Sequence, residues 1–281
     1  MDLITSPTAI AAWTAQVRRY GHTVGFVPTM GALHEGHLDL VRRAQEKHPK
    51  VVCSIFVNPL QFNNLNDLEH YPRQLDRDQD LLRSIGCDGL FAPEKEAIFV
   101  DFRPRTYNLG VLNDHWEGPS RPGHFQGVVN VVERLFHFEW PDEAFFGEKD
   151  RQQLTLLRYI ANQERWPVQV TACPTVRAAN GLALSSRNAR LDPTQRQQAT
   201  ILYRALLCSA EMAFAAPVDA VRRAVLAVLA QEPTVVLDYF GIADYDTLEP
   251  LDAWGSRQQA VALIAAQVGP VRLIDNITLT R

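Results

Sequence analysis

Two short apolar runs with an amphipathic segment between them constrain this chain more than any other feature. Val24-Gly25-Phe26-Val27 closes a segment that begins at His22 and runs into Pro28 and Gly31, as a buried strand entering a turn does. Val51-Val52-Cys53-Ser54-Ile55-Phe56-Val57 is too short for a stable helix, is rich in β-branched residues, and stops at Asn58-Pro59, so it reads as a second buried strand. Between them, from His37 onward, Leu38, Val41 and Ala44 recur at helical spacing. Arg42, Arg43 and Lys47 take the other face or the C-terminal end, where positive charge suits the helix dipole. Strand, helix and strand within about 35 residues predict a right-handed βαβ unit of a parallel sheet.

The pattern continues with a helix over 74–85, a short strand around Leu90, helices over 125–138 and 152–163, and a strand over 168–172 that ends near Pro174. After Arg187 the composition changes. Helices are predicted over 193–215 and 218–231, then strands over 235–240, 260–266 and 271–277. A chain of 281 residues is more than one small core supports. The expectation is an α/β N-terminal domain, 1–175, and a smaller α+β C-terminal domain, 176–281. The net charge of -4 is spread without basic runs, which argues against nucleic acid as a partner. Four cysteines without a C-x-x-C pair, no basic-then-apolar N-terminus and no apolar stretch near 18 residues predict a soluble, cytoplasmic protein that does not engage a membrane.

Several polar strings fall where an open parallel sheet binds ligands, beyond the carboxyl ends of its strands. Pro28-Thr29-Met30-Gly31-Ala32-Leu33-His34-Glu35-Gly36-His37 lies between the first strand and its helix. It matches neither G-x-G-x-x-G nor a P-loop. It offers instead two imidazoles, His34 and His37, on one helical turn around Gly36, able to neutralise charge on an α-phosphate. Taken alone, such a pair is more often an accident of surface or core than a catalytic device; its place between strand and helix, with flanking glycines, favours function. A zinc hydrolase is the alternative from another class, but the second histidine comes one residue too early for H-E-x-x-H, and no metal ligand set is predicted.

Phe146-Gly147-Glu148-Lys149-Asp150 places a lysine beside a helix start, suited to polyphosphate, although the same string suits a solvated turn. Gly181-Leu182-Ala183-Leu184-Ser185-Ser186-Arg187-Asn188 can wrap a pyrophosphate or serve as a cap. Gln61, after Asn58-Pro59, can read the hydroxyls of a small polar substrate, and Arg121, in a Gly/Pro-rich loop, can meet a carboxylate.

In this order the strings V-P-T-M-G-A-L-H-x-G-H (27–37), F-V-N-P-x-Q-F (56–62), Y-P-R (71–73), S-R-P-G-H-F (120–125), F-G-E-K-D (146–150) and L-S-S-R-N (184–188) resemble the pantothenate synthetases, and the similarity extends through Leu273-Ile274-Asp275-Asn276. That family belongs to the HxGH nucleotidylyltransferase-like superfamily. The resemblance implies a Rossmann-like N-terminal domain and ATP-dependent condensation of (R)-pantoate with β-alanine through pantoyl-adenylate, with Mg2+ required. It assigns ATP to Pro28, Thr29, Met30, Gly31, His34, Gly36, His37, Gly147, Lys149, Asp150, Val176, Leu184, Ser185, Ser186 and Arg187. His37, His34, Lys149 and Arg187 are its catalytic set. The substrate falls to Gln61 and Gln153, with Asn58, Tyr71 and Arg121 nearby. A cytoplasmic homodimer is expected. Arg151, where the family often has an aromatic residue, Arg77, in a stretch often more acidic, and 98–105 depart from the pattern. The nearest rival is another adenylyl- or cytidylyltransferase of the superfamily; a catalytically silent nucleotide-binding module is a third reading.

Overall fold

Residues 24–55 form the strand, helix and strand that the apolar runs predict. The computed structural model describes residues 1–281, apart from the side chains of Leu65 and Asn66. In chain order the elements are β1 (Asp2–Ile4), α1 (Pro7–Arg19), β2 (Val24–Thr29), α2 (Glu35–Lys47), β3 (Lys50–Ile55), α3 (Leu65–Glu69), α4 (Leu75–Ser84), β4 (Gly89–Phe91), α5 (Lys95–Phe99) and α6 (Glu117–Ser120). There follow α7 (His124–Glu139), β5 (Glu143–Gly147), α8 (Arg151–Gln163), β6 (Gln169–Cys173), α9 (Pro193–Gln198), α10 (Thr200–Met212), α11 (Val218–Leu229), β7 (Val235–Asp244), β8 (Gln259–Val268) and β9 (Val271–Thr280). The chain divides into two compact units. One comprises Met1–Leu109, Gly118–Gly147 and Leu156–Pro174; the other comprises Gly110–Glu117, Glu148–Thr155 and Thr175–Arg281.

The first unit holds a six-stranded sheet in the order β1-β4-β3-β2-β5-β6. Every pairing is parallel. From β2 the chain builds outward through β3 and β4, then returns to place β5 on the other flank of β2. The strand order therefore reverses between β2 and β5, the point at which such sheets bind ligands. Val27, Val51, Cys53, Leu90 and Phe145 of the strands pack with Leu38, Val41 and Ala44 of α2 and Leu82 of α4 as one buried cluster.

β5 is the inner strand that the sequence pattern does not predict. Only Ala144-Phe145-Phe146 is apolar, and its first residue, Glu143, is a buried carboxylate that accepts from Lys47 at 2.7 Å, from Thr171, and meets His48 at 3.1 Å. Burial alone would raise the Glu143 pKa; these donors outweigh it and hold it below the usual carboxylate range. The N-terminal β1 and α1 likewise lie outside the predicted pattern. Ser6 caps α1 by accepting from Ala9 N at 3.2 Å, Pro7 opens it, and Arg18 and Arg19 close it.

The second unit packs α10 and α11 on an antiparallel sheet β7-β8-β9. Leu202, Leu206, Val221, Val225, Ile242 and Ile264 lie within its core. The single helix predicted over 193–215 is two, separated at Ala199, where the Thr200 hydroxyl donates to Gln197 O at 2.6 Å and competes with the helical ladder. All four cysteines are free thiols. Burial pushes Cys87 up to about 12 and Cys173 up to about 11, so both are inert apolar fillers. Among the described residues no helix is long and apolar enough to cross a membrane.

Candidate functional site

The turn after β2 is tied by hydrogen bonds between side chains and backbone. The Thr29 hydroxyl donates to Ser54 O at 2.7 Å and accepts from Gly31 N at 3.1 Å, tying β2 to β3 at their carboxyl ends. Gly31 turns at φ 79°, and a Cβ there would stand 3.0 Å from Ile55 Cγ2 and 3.1 Å from Asp78 Oδ2, so glycine is required both by conformation and by space. Asp78 reaches in from α4, fully buried, and its two oxygens accept from Ala32 N and Leu33 N, both at 2.8 Å. Burial raises its pKa, opposed by those two amides.

This clamp delivers His34 to the start of α2, where the two histidines cap the helix for each other. His34 Nδ1 accepts from Gly36 N at 3.2 Å, and His37 Nδ1 accepts from His34 N at 3.3 Å, with ring centroids 4.0 Å apart. A backbone N–H can only donate, so each Nδ1 is an acceptor and each neutral ring carries its proton on Nε2. Two Nε2–H donors on adjacent rings at the positive end of a helix suit an anion. Pro28, Met30, Gly36 and both histidines are half-buried, and Thr29 and Gly31 are buried.

The strand β3 leads into a second constellation of the same unit. Asn58 is 2% exposed; its amide donates to Gln61 Oε1 at 3.0 Å and to Gly127 O at 3.1 Å while its oxygen accepts from Leu60 N at 3.0 Å. Every polar atom of Asn58 is thus committed to shaping the turn that carries Gln61. With its oxygen held, Gln61 presents its Nε2 toward Met30, whose sulfur it meets at 2.8 Å. Arg121 and His124 both bond Gln61 O, at 3.2 and 2.8 Å, so Arg121 braces this turn. Tyr71 is buried edge-on against Phe62, centroids 5.7 Å apart.

In the second unit, Glu148–Asp150 form a single tight turn directly after Gly147, the end of β5. Lys149 is half-buried and makes no ion pair among the described residues, whereas Asp150 is exposed. The adjacent glutamines divide their work. Gln152 is buried and bonds Glu117 N, Leu112 O and His115 O at 2.6–2.9 Å; Gln153 is half-buried and makes no such bond among the described residues. Arg151, 5% exposed, lays its guanidinium 4.1 Å over the Tyr245 ring and donates to Tyr245 O at 2.7 Å. A planar, stacking cation fills this buried position as an aromatic ring would.

Residues 176–184 form a tight hairpin in which Leu184 N donates to Val176 O at 3.0 Å, so the two candidate adenine contacts are cross-strand neighbours. Ser185 then caps a short 3-10 helix, Ser186–Arg190, accepting from Arg187 N at 3.3 Å. Ser185, Ser186 and Arg187 are half-buried. The structure thus joins Met30, Asn58, Gln61 and Arg121 in one hydrogen-bonded set and the two histidines in another, both in the first unit, with Lys149, Asp150, Gln153, Val176, Leu184 and 185–187 in the second. Asp78 escaped the sequence reading, although an aspartate in register with Leu82 on the apolar face of α4 was the available signal.

The sequence pattern of the Pantoate-beta-alanine ligase family matches residues 2–278. The pantothenate synthetase of Rubrobacter xylanophilus is 46% identical over 286 residues, spanning 99% of this chain and 98% of that one. The crystal structure of the Thermus thermophilus pantothenate synthetase superposes with a TM-score of 0.93 at 44% identity, covering 99% of each chain. A Francisella tularensis pantoate-beta-alanine ligase, complexed with beta-gamma ATP and beta-alanine, superposes with a TM-score of 0.81 at 31% identity over 99% of this chain and 97% of that one. With these strings, this sheet and this turn, the chain belongs to the pantoate–β-alanine ligase family.

Proposed function

We propose that this chain condenses (R)-pantoate with β-alanine at the expense of ATP, through a pantoyl-adenylate. The observation that carries the reading is the reciprocal histidine cap at the carboxyl end of β2, beside the point where the strand order reverses. Pantoate's carboxylate is ionised at neutral pH, so attack on the α-phosphorus requires alignment and charge neutralisation rather than a base. A carboxylate oxygen bonds to the α-phosphorus, the bond to the β-phosphate oxygen breaks, and pyrophosphate leaves. In this reading the Nε2–H groups of His34 and His37 meet the α-phosphate, while Lys149, Ser185, Ser186 and Arg187 take the departing charge. Gln61 and Gln153 hold pantoate, and Val176 and Leu184 flank adenine.

In the second step the neutral amine of β-alanine bonds to the acyl carbon, AMP leaves, and the nitrogen loses its proton. Water must be kept out while the mixed anhydride exists. Magnesium would enter with ATP as part of the substrate, where it would offset phosphate charge. A cytoplasmic homodimer completes the proposal.

The test is pyrophosphate release from magnesium–ATP with pantoate alone, followed by AMP and pantothenate once β-alanine is added. Pantoate-dependent release with turnover only when both substrates are present is expected. Release without AMP formation, the nucleotide staying on the product, would identify a nucleotidyltransferase instead.

A further inference from the structure

We propose that Asp275 and Asn276, adjacent on β9, are positioning residues that hold the Lys149 turn and the hairpin leading to Ser185–Arg187 in one fixed register for the nucleotide. The inference rests on the ATP-site reading above and concerns residues to which that reading gives no role.

The side-chain amide of Asn276 donates to two consecutive carbonyls, Glu148 O at 2.9 Å and Lys149 O at 2.8 Å. Both amide hydrogens are therefore spent on the turn that presents Lys149, and Asn276 is 7% exposed. An amide NH2 suits this task because two carbonyls side by side need two donors on one small group. Asp275 faces the other way, as neighbours on a strand do. Its carboxylate takes both ends of the Arg177 guanidinium, at 2.6 and 2.9 Å, with only 4% of the Asp275 side chain and 16% of the Arg177 side chain exposed. Arg177 then donates to Gly181 O and Asn276 O, each at 3.2 Å, and lies 4.0 Å over the Tyr203 ring.

Gly181, at φ 89°, packs so closely on Tyr203 that a Cβ would fall 2.3 Å from Cδ1. The hairpin is thus gripped at its tip by Tyr203 and at its base by Arg177, and it ends at Leu184, one residue before the Ser185 cap. Asp275 Oδ1 also accepts from Asn276 N at 2.8 Å, which fixes the carboxylate to the backbone that carries Asn276. A shift of either loop breaks a charge-assisted or paired hydrogen bond in a buried setting, where broken bonds are costly. The pair therefore acts through Lys149 and the 185–187 loop, without touching ATP.

The test is a double-mutant cycle read on magnesium–ATP binding by calorimetry, using Asn276→Ala, Lys149→Ala and the double variant. If Asn276 acts through Lys149, Asn276→Ala weakens ATP binding roughly 10-fold in the native background and less than about 2-fold when Lys149 is already absent. The KM for pantoate holds. Asn276→Asp, of equal size but offering oxygens to two carbonyls, is expected to be at least as damaging as alanine. Full additivity in the cycle, or equal losses of ATP and pantoate affinity, would overturn the proposal in favour of a merely structural role. Should Asn276→Ala fail to fold, Asn276→Ser, which keeps one donor, carries the same cycle. Because the cycle is read on ATP alone, a native protein that binds ATP but ignores pantoate refutes the ligase reading and leaves this one to the cycle. A native protein that does not bind ATP refutes both.

Discussion

His34 Nδ1 caps α2, and in the proposed reaction the Nε2–H of the same ring would meet the α-phosphate. These two jobs can be separated by substitution. Asparagine is among the best helix caps, so His34→Asn keeps an acceptor for the free amide and loses the distal donor, whereas His34→Ala loses both. His34→Asn should therefore match the native thermal unfolding midpoint yet turn over roughly 10²–10³-fold more slowly. His34→Ala should lose turnover similarly and about 1 kcal/mol of stability besides. Steady-state kinetics beside thermal unfolding decides the matter: native turnover in His34→Asn would reduce the histidine to a cap. The residues proposed to meet a ligand could be named from the sequence because their motif strings are local. Those that hold them could not, since Asp78 lies 46 positions from Ala32 and Asn276 lies 128 from Glu148. No short-range pattern encodes such separations.

At the scale of elements, α7 supplies the floor on which the Asn58–Gln61 turn rests. Gly127 is where they meet, and a Cβ there would lie 2.1 Å from Leu60 O, while Gly127 O accepts from Asn58. Backbone cannot yield as a flexible side chain can. Gly127→Ala should push the turn off the helix, break the Asn58 bond and swing Gln61 away from Met30. The expected result is a KM for pantoate raised about 10-fold or more, with ATP affinity preserved, since the histidine turn stands on β2, β3 and α4 instead. A variant with native pantoate KM would show that the turn's placement does not set that affinity. The sequence revealed α7 through its apolar period but not its contact with the Asn58–Gln61 turn, and it concealed β5, because a buried Glu143 paired with Lys47 and His48 breaks the hydrophobic run by which buried strands are found.

For the molecule as a whole, two carboxylates of the first unit set opposite pH limits to its stability. Glu143 has its folded pKa lowered, so its contribution is present above the unfolded pKa and is lost as pH falls through the folded one. Glu139, the last residue of α7, is the reverse case. It is 1% exposed, neither oxygen has a hydrogen-bond partner, and burial pushes its pKa well above the usual carboxylate range. Its folded form holds a proton that the unfolded chain releases near the ordinary glutamate value. Stability from this group is thus complete below that value and drains away as pH rises toward the folded pKa, by about 1.4 kcal/mol per pH unit. Glu139→Gln has the same shape and cannot ionise. Relative to the native chain its stability should be unchanged or lower near pH 4 and should gain steadily through neutrality, with the steepening absent from Glu143→Gln. Urea unfolding of both proteins from pH 4.5 to 8 measures the difference directly; a constant offset across that range would mean that Glu139 is charged in the fold, and that a partner reaches it which the packing of α7 does not supply.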